Sequence, residues 1–335
     1  MPPSKKSPTI YDVSKLSGVS IATISRVLNS PSLVKAETRK RVLQAIDDLS
    51  FVPKAAAHAH ARQQSNRIGV LTPFFTAPSS VQRLRGVAGA LSEVSHELVI
   101  YPVDSMDRLH GYLSSLPVTE TIDGLIIISA QVDSAEVHRL VKRKLQTILI
   151  EFPHPEVNSI EIDDEGGGRL VAQYLMAKGH RRIAFLGDTN MPEFGIDPIA
   201  LRLKGFSSTL EQAGLPLPKE LMHLARYEQK EMHYGASELL NVSPAPTAIF
   251  AATDVQAVGI LRVARQLGLR IPDDLAVVGF DDLDIAETLD LTTVRQHLDE
   301  SGRLAVEILL SGMRDGHRPP QHATLPLELI ERGTA

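Results

Sequence analysis

No cysteine occurs among the 335 residues, which excludes a disulfide framework, a thiolate metal site and a cysteine nucleophile. Long apolar runs are missing too. None approaches the roughly 18–20 residues that span a bilayer, so no membrane helix is expected. The N-terminus, Met1-Pro2-Pro3-Ser4-Lys5-Lys6, leads into a polar helix rather than an apolar signal core, and secretion is not expected. No phosphate-loop lysine accompanies Gly166-Gly167-Gly168, and the glycines match no dinucleotide fingerprint, so Asp163-Asp164 with these glycines reads as a turn into a helix. The 12 histidines show no metal-type spacing with acids. A cytoplasmic protein without metal or cofactor is expected.

What is present fits a soluble globular chain, with 43% apolar and 22% charged residues, a balance outside the disordered range. Its length suits two or three domains rather than one core. The net charge of −5 conceals an asymmetry. Residues 1–66 hold ten basic and four acidic side chains, so the rest of the chain is more acidic than the total. A basic front end attracts phosphate backbones and an acidic body repels them, which would confine nucleic-acid contact to one end. A solvated charged surface would look the same by charge alone.

Local pattern sharpens the reading. Thr9 can cap a helix carrying Ile10, Val13 and Leu16 inward, ended by Gly18. Ser20 can cap a second helix, Ile21 to Leu28, with Ile24, Val27 and Leu28 inward. A third begins near Ala36-Glu37-Thr38 and repeats Val42, Ile46 and Leu49. Two short helices joined by a tight turn make a helix-turn-helix, whose second helix offers its first residues to the major groove. Arg26 can fork onto guanine O6 and N7, and Ile21 and Ala22 can touch thymine methyls. Ser20, Thr23, Ser25 and Asn29 suit phosphates, which position the helix without specifying sequence. An ordinary three-helix bundle with a surface arginine has the same spacing.

Thr9-Ile10-Tyr11-Asp12-Val13-Ser14, Gly18-Val19-Ser20, Thr23-Ile24-Ser25-Arg26-Val27-Leu28-Asn29 and Phe51-Val52-Pro53 together resemble the headpiece of the lactose-repressor (LacI/GalR) family. The resemblance implies phosphate anchoring by Thr9, Tyr11, Ser20, Thr23, Ser25 and Asn29, operator choice by Ile21 and Ala22, and base reading by Arg26. It also implies that the alanine-rich segment after Pro53 is a hinge helix, which enters the minor groove with Ala57 and His60 among its DNA contacts. An isolated helix of that length is marginal in water. His60 stands where the family places a leucine wedge that unstacks a base step. Three readings stay open: His60 inserts or bonds a base edge, it meets phosphate when protonated, or the kink is weaker here.

From residue 67 onward, apolar runs alternate with amphipathic stretches. The runs are Ile68 to Leu71, Leu98 to Val103, Gly124 to Ile128, Thr147 to Ile150, Ile183 to Leu186, Ala248 to Ala251 and Leu275 to Phe280. The helical stretches include Val81 to Val94, Ala135 to Arg143, Gly167 to Ala177, Leu201 to Ala213, Val255 to Leu267 and Leu298 to Leu310. Continuous Val/Ile/Leu strands alternating with helices predict parallel sheets covered on both faces. Two doubly wound lobes are expected; a closed eight-stranded barrel is the alternative. Ligands bind such sheets at the carboxyl ends of the strands. Carboxylates and aromatic faces at those ends suit a polyhydroxylated ligand.

The resemblance extends along the body, through Leu84-Arg85-Gly86-Val87, Gly179-His180-Arg181-Arg182, Arg202-Leu203-Lys204-Gly205-Phe206 and Val277-Val278-Gly279-Phe280-Asp281-Asp282. It implies an all-α headpiece on a two-lobed, periplasmic-binding-protein-like α/β body. The implied domains are 1–53, a hinge at 54–66 and an effector and dimerisation domain at 67–335. Its N-lobe would hold about 67–163 and 294–323, and its C-lobe 164–291 and 324–333. The implied effector contacts are Phe75, Glu151, Phe152, Arg202, Thr253, Asp254 and Asp281. Thr253 replaces the usual asparagine there, and the Pro73-Phe74-Phe75 loop looks short. The expected function is a sequence-specific transcription regulator, a homodimer on a pseudo-palindromic operator, controlled by a small effector of the sugar type. The alternatives are a solute-binding protein, which has no use for residues 9–53, and a sugar-metabolising enzyme. The acids Asp281, Asp282 and Asp284 share one loop, which is no two-sided acid/base pair.

Overall fold

The computed structural model describes residues 8–29, 33–49, 51, 65–188, 193–225, 229–315 and 319–335. Three helices open the chain: α1 (Ile10–Ser17), α2 (Ile21–Asn29) and α3 (Ala36–Leu49). Val13, Ile24, Val27, Leu28, Val42 and Ile46 form their core. Gly18 turns the chain between α1 and α2 with φ 67°, a backbone that glycine adopts without steric cost. Leu16 departs from its expected inward place and is 54% exposed. The reason is spacing: the residue one turn beyond Val13 is Ser17, which is buried and donates to the Val13 carbonyl at 2.6 Å.

The body continues with β1 (Arg67–Pro73), α4 (Pro78–Ser92), β2 (Glu97–Val103), α5 (Met106–Thr119), β3 (Gly124–Ile128), α6 (Ser134–Lys142), β4 (Gln146–Ile150) and β5 (Asn158–Ile162). Then follow α7 (Asp164–Ala177), β6 (Ile183–Asp188), α8 (Pro198–Gln212), β7 (Met222–Ala225), α9 (Gln229–Leu240), β8 (Ala248–Ala251), α10 (Asp254–Gln266) and β9 (Ala276–Asp281). The chain closes with α11 (Asp284–Thr288), β10 (Thr292–Arg295), α12 (Leu298–Asp315), β11 (His322–Leu325) and β12 (Glu328–Ile330).

These strands form two six-stranded sheets, ordered β11-β5-β4-β3-β1-β2 and β12-β10-β9-β8-β6-β7. Pairing is parallel from β1 through β5 and from β6 through β10, while β12 runs antiparallel to β10. Two separate sheets replace the closed barrel that strand count had left open. All seven apolar runs read from the sequence are strands; six are buried on both faces and so need no polar alternation, while β2, at the sheet edge, leaves Ile100 exposed. By compactness the chain divides into a first unit, Met1–Thr76, Val87–Ile160 and Arg303–His322, and a second, Ala77–Gly86, Glu161–Gly302 and Ala323–Ala335.

In the second unit, Phe185, Phe206, Phe250 and Phe280 interlock with ring centroids 5.1–6.4 Å apart. Beside them α7 and α8 meet backbone to backbone. A Cβ on Gly168 would fall on the Arg202 carbonyl, and one on Gly205 on the Glu165 carbonyl. Asp163 starts α7 by accepting the Gly166 N–H at 2.8 Å, so the acidic, glycine-rich run is a capped helix start, as read from the sequence. Overpacking such a contact costs about 1–3 kcal/mol. Gly168→Ala and Gly205→Ala are each expected to lower the thermal midpoint of the full-length chain, whereas Gly89→Ala, which meets nothing within 4 Å, should leave it unchanged or raise it. Equal midpoints for all three would refute the close-packing account.

Candidate DNA-reading face and effector site

Helix α2 carries the side chains that the sequence assigns to DNA reading. Ser20 precedes it and accepts the Thr23 N–H at 3.3 Å, with its hydroxyl 3.0 Å from that of Thr23. Thr9, before α1, donates its N–H and hydroxyl to Asp12 at 2.8 and 2.7 Å. Tyr11, Ala22, Ser25 and Arg26 are exposed, and Ile21 and Thr23 half-buried. With Ile24, Val27 and Leu28 spent on the core, Ala22 and Arg26 necessarily occupy the opposite side. Asn29 ends α2. Ala57 and His60 lie outside the described residues, and so does the hinge helix.

Except for Arg202, which lies on α8, the residues assigned to the effector fall at or just beyond strand ends, where parallel sheets place ligands. In the first unit Phe75 is exposed beyond β1, and Phe152 is half-buried beyond β4. Glu151 accepts a hydrogen bond from the Ser129 hydroxyl at 2.6 Å. Phe74, Ser129 and Glu151 follow β1, β3 and β4 and have φ of 53°, 54° and 77°. In the second unit Asp281 and Asp282, at the end of β9, have φ of 123° and 55°. Non-glycine residues held at positive φ cost on the order of 1–3 kcal/mol each and gather at ligand sites. Among the described residues, five of the ten such positions stand at the carboxyl ends of strands in the two sheets.

In the second unit the charged residues form a buried chain. Arg202, on α8, is 3% exposed and Asp281 5%. Arg202 lays its guanidinium 3.8 Å over the Phe280 ring, donates to Asp164 at 2.8 Å and to the Ala252 carbonyl at 2.6 Å, and stands 3.5 Å from Asp281. Gln296 donates its amide to Asp281 and accepts from Arg83 at 3.2 Å, while Arg83 also donates to Ser301 at 2.8 Å. Because Arg83 has only donors, it faces the Gln296 oxygen and turns the amide nitrogen toward Asp281. Arg83, Gln296, Asp164 and Ser301 were missed by sequence reasoning. Arg83 could have been found: Ser80, Arg83, Val87 and Leu91 lie on one helical line and are all buried.

Thr253 caps α10 by accepting the Gln256 N–H at 3.2 Å. Asp254 is fully buried and has both oxygens engaged, by the Leu283 N–H at 2.7 Å and the Thr293 hydroxyl at 2.5 Å. It ties the start of α10 to the β9–α11 turn and to β10. Burial, with the Asp281 charge adding to it, pushes the Asp254 carboxyl up to about 8 against the hydrogen bonds that favour its ionised form. Burial likewise raises Asp281 to about 6, against the pull of Arg202 and Gln296.

A helix-turn-helix head joined to a two-sheet body with strained, charged strand ends defines a class: DNA-binding regulators that respond to an effector. The comparisons agree. Residues 9–54 match the family model described as bacterial regulatory proteins, lacI family, and residues 172–335 the periplasmic binding protein-like domain. The ribose operon repressor of Escherichia coli (strain K12) is 30% identical over 98% of this chain and 99% of that protein. The structure of the transcriptional regulator CelR–cellobiose complex is 28% identical, with TM-score 0.69, covering 98% of this chain and 100% of that one. The lac repressor dimer bound to operator and the anti-inducer ONPF is 27% identical, with TM-score 0.70, over 98% and 99%.

The chain belongs to the lacI family of bacterial regulatory proteins and is a sequence-specific DNA-binding transcription regulator whose partner is operator DNA. The alternatives of a transport-type binding protein and a metabolic enzyme lose to that membership.

The buried acids set a pH test. In the folded chain Asp254 keeps its proton up to about 8, whereas its ordinary value is 3.8. The folded state therefore binds the extra proton between about pH 4 and 8, and this contribution to stability is lost as pH rises through that window. Asp254→Asn removes the titration. The melting temperature of the variant relative to wild type is expected to climb from pH 5 to pH 8; a constant offset would contradict the raised value.

Proposed function

We propose that this regulator is a cytoplasmic homodimer, without enzymatic activity, whose effector is a small sugar or a close relative of one. The residues assigned to the effector are Phe75, Glu151 and Phe152 in the first unit and Arg202, Thr253 and Asp281 in the second, with Asp254 fixing the backbone around them. The domain bounds assigned are 1–53 for the head, 54–66 for the hinge and 67–335 for the body. Among the described residues no helix is long and apolar enough to cross a membrane.

One observation carries the effector reading. Arg202, Asp281 and Gln296 form a chain of alternating donors and acceptors at the end of β9, with Arg202 braced on the Phe280 face. A sugar hydroxyl both donates and accepts, so it can enter between a carboxylate and an amide or guanidinium without leaving either unsatisfied. An apolar ligand would leave both stranded. The CelR structure holds cellobiose, and the E. coli relative is named for the ribose operon. Both are consistent with a polyhydroxylated ligand here.

A thermal-shift screen of the full-length chain with pentoses, hexoses and disaccharides tests this. A true effector at about 100 times its Kd adds roughly 2.7 kcal/mol of stability. The shift is expected to vanish in Arg202→Ala and Asp281→Asn. A screen in which nucleobases shift the midpoint and no sugar does would replace the sugar reading. For the head, Arg26→Ala is expected to lower discrimination between a duplex selected by the wild-type chain and random DNA by about 1–3 kcal/mol. Tyr11→Phe should weaken both kinds of DNA alike, since a phosphate contact carries no sequence. Unchanged discrimination in Arg26→Ala would remove that residue from base reading.

A further inference from the structure

Within the first unit the headpiece rests on the body through one acid and two arginines. Asp47, on α3, lies 2.9 Å from Arg139 and 2.5 Å from Arg143, with a further bond from the Arg143 Nε at 3.0 Å. Arg139 lies in the last turn of α6 and Arg143 just beyond it, one turn apart. Their side chains are 19% and 15% exposed, and that of Asp47 13%. Val118 of α5 belongs to the headpiece cluster, and α5 packs against α2. Arg39 of α3 also reaches Asp107 at 3.7 Å.

This contact has an uncommon balance. Its apolar part is small, a single buried body side chain in a cluster otherwise built from the head. Its ionic part is close but half-desolvated: Arg143 meets Asp47 through two nitrogens and Arg139 through one, while the Arg139 Nε and Nη2 are buried without a hydrogen-bond partner. Burial and the Arg143 charge both pull Arg139 below its ordinary value, and Asp47 opposes them. Two arginines one turn apart repel, and only an acid brought between them offsets the repulsion. Desolvation consumes most of the Coulomb gain of such a cluster, so the contact is directional without being strong. Meanwhile Tyr11, Ala22, Ser25 and Arg26 stay exposed. The docked head is therefore open to DNA.

We infer that Asp47 with Arg139 and Arg143 is a latch that holds the headpiece on its own body in the DNA-ready pose and so raises operator affinity. The head then loses less orientational freedom on binding than a head on a free tether would. Full release would expose Arg139 and Arg143 to water, which repays part of the lost pairing and keeps the latch reversible.

The latch and simple electrostatics predict opposite signs. Asp47→Asn removes a negative charge from a DNA-binding domain, which by phosphate attraction alone should tighten binding. The latch predicts weaker binding, by about fivefold, the equivalent of roughly 1 kcal/mol. The measurement is fluorescence anisotropy of full-length chain on a palindromic duplex that the wild type selects from a random pool. Asp48→Asn makes the same charge change next door, at an exposed acid bonded to Gln44, and is expected to bind as tightly as wild type or tighter. In an Arg139→Gln, Arg143→Gln background, Asp47→Asn is expected to weaken binding no further. Headpiece folding in each variant is checked by circular dichroism melting. Tighter or unchanged binding by Asp47→Asn, equal loss in Asp48→Asn, or the same loss in both backgrounds would each overturn the latch.

Discussion

A parallel sheet covered on both faces has nowhere to put polar chemistry except its strand ends. The two sheets here are built from runs such as Gly124-Leu125-Ile126-Ile127-Ile128, whose side chains are buried to both sides. Each strand spends its length on packing, and at the carboxyl ends of β1, β3, β4 and β9 the backbone turns away, with Phe74, Ser129, Glu151, Asp281 and Asp282 at positive φ. The energy that keeps those residues strained comes from the sheets behind them. The rigid strands therefore determine both where the polar groups stand and how little they can move.

The same economy of burial explains the arginines. Arg202 is almost fully enclosed, yet none of its charge is wasted: Asp164, Asp281, the Ala252 carbonyl and the Phe280 ring face it. Removing one partner would leave the rest of a buried network unbalanced, which costs far more than the pair contributes when intact. A ligand that inserts into such a chain has to replace what it displaces, hydrogen bond for hydrogen bond. That requirement selects ligand class before it selects any particular ligand.

Much of this was legible in the sequence, and what was not follows a physical pattern. Strands of continuous Val, Ile and Leu declared themselves, and so did the head, where Gly18, Ser20 and the Ile24-Val27-Leu28 line agree at three levels. Strand β5, Asn158-Ser159-Ile160-Glu161-Ile162, escaped because it alternates polar and apolar residues near the sheet edge and so lacks a continuous run. Helix α5 escaped because Gly111 and Pro117 interrupt it, although Ser105 caps it by accepting the Arg108 N–H at 3.3 Å. Leu16 misled because apolar character was weighed above one-turn spacing. Of the site, Arg202 and Asp281 were linked to one ligand chemistry only through resemblance; their mutual pairing, and the part of Gln296 in it, belongs to tertiary structure that no local pattern encodes.

Arg83 shows how a surface-like residue acquires an interior role. The segment Val81-Gln82-Arg83-Leu84-Arg85 looks like the wet side of a helix. Gly86, however, brings α4 so close to the first turn of α12 that a Cβ there would strike the Asp299 carbonyl. That approach carries Gln82 to Asp299 at 3.0 Å, Arg85 to Asp284 at 2.6 Å and Arg83 inward to Gln296 and Ser301. The helix thus has three polar ties along its first turns, and the middle one ends on the amide that holds Asp281. A ligand that takes the Asp281 oxygen from Gln296 must offer that amide an acceptor of its own, as a hydroxyl can, or force it to turn. Its other end is fixed by an arginine that has only donors to offer. Turning the amide would set nitrogen against nitrogen, so the disturbance passes to Arg83 and to the helix that carries it.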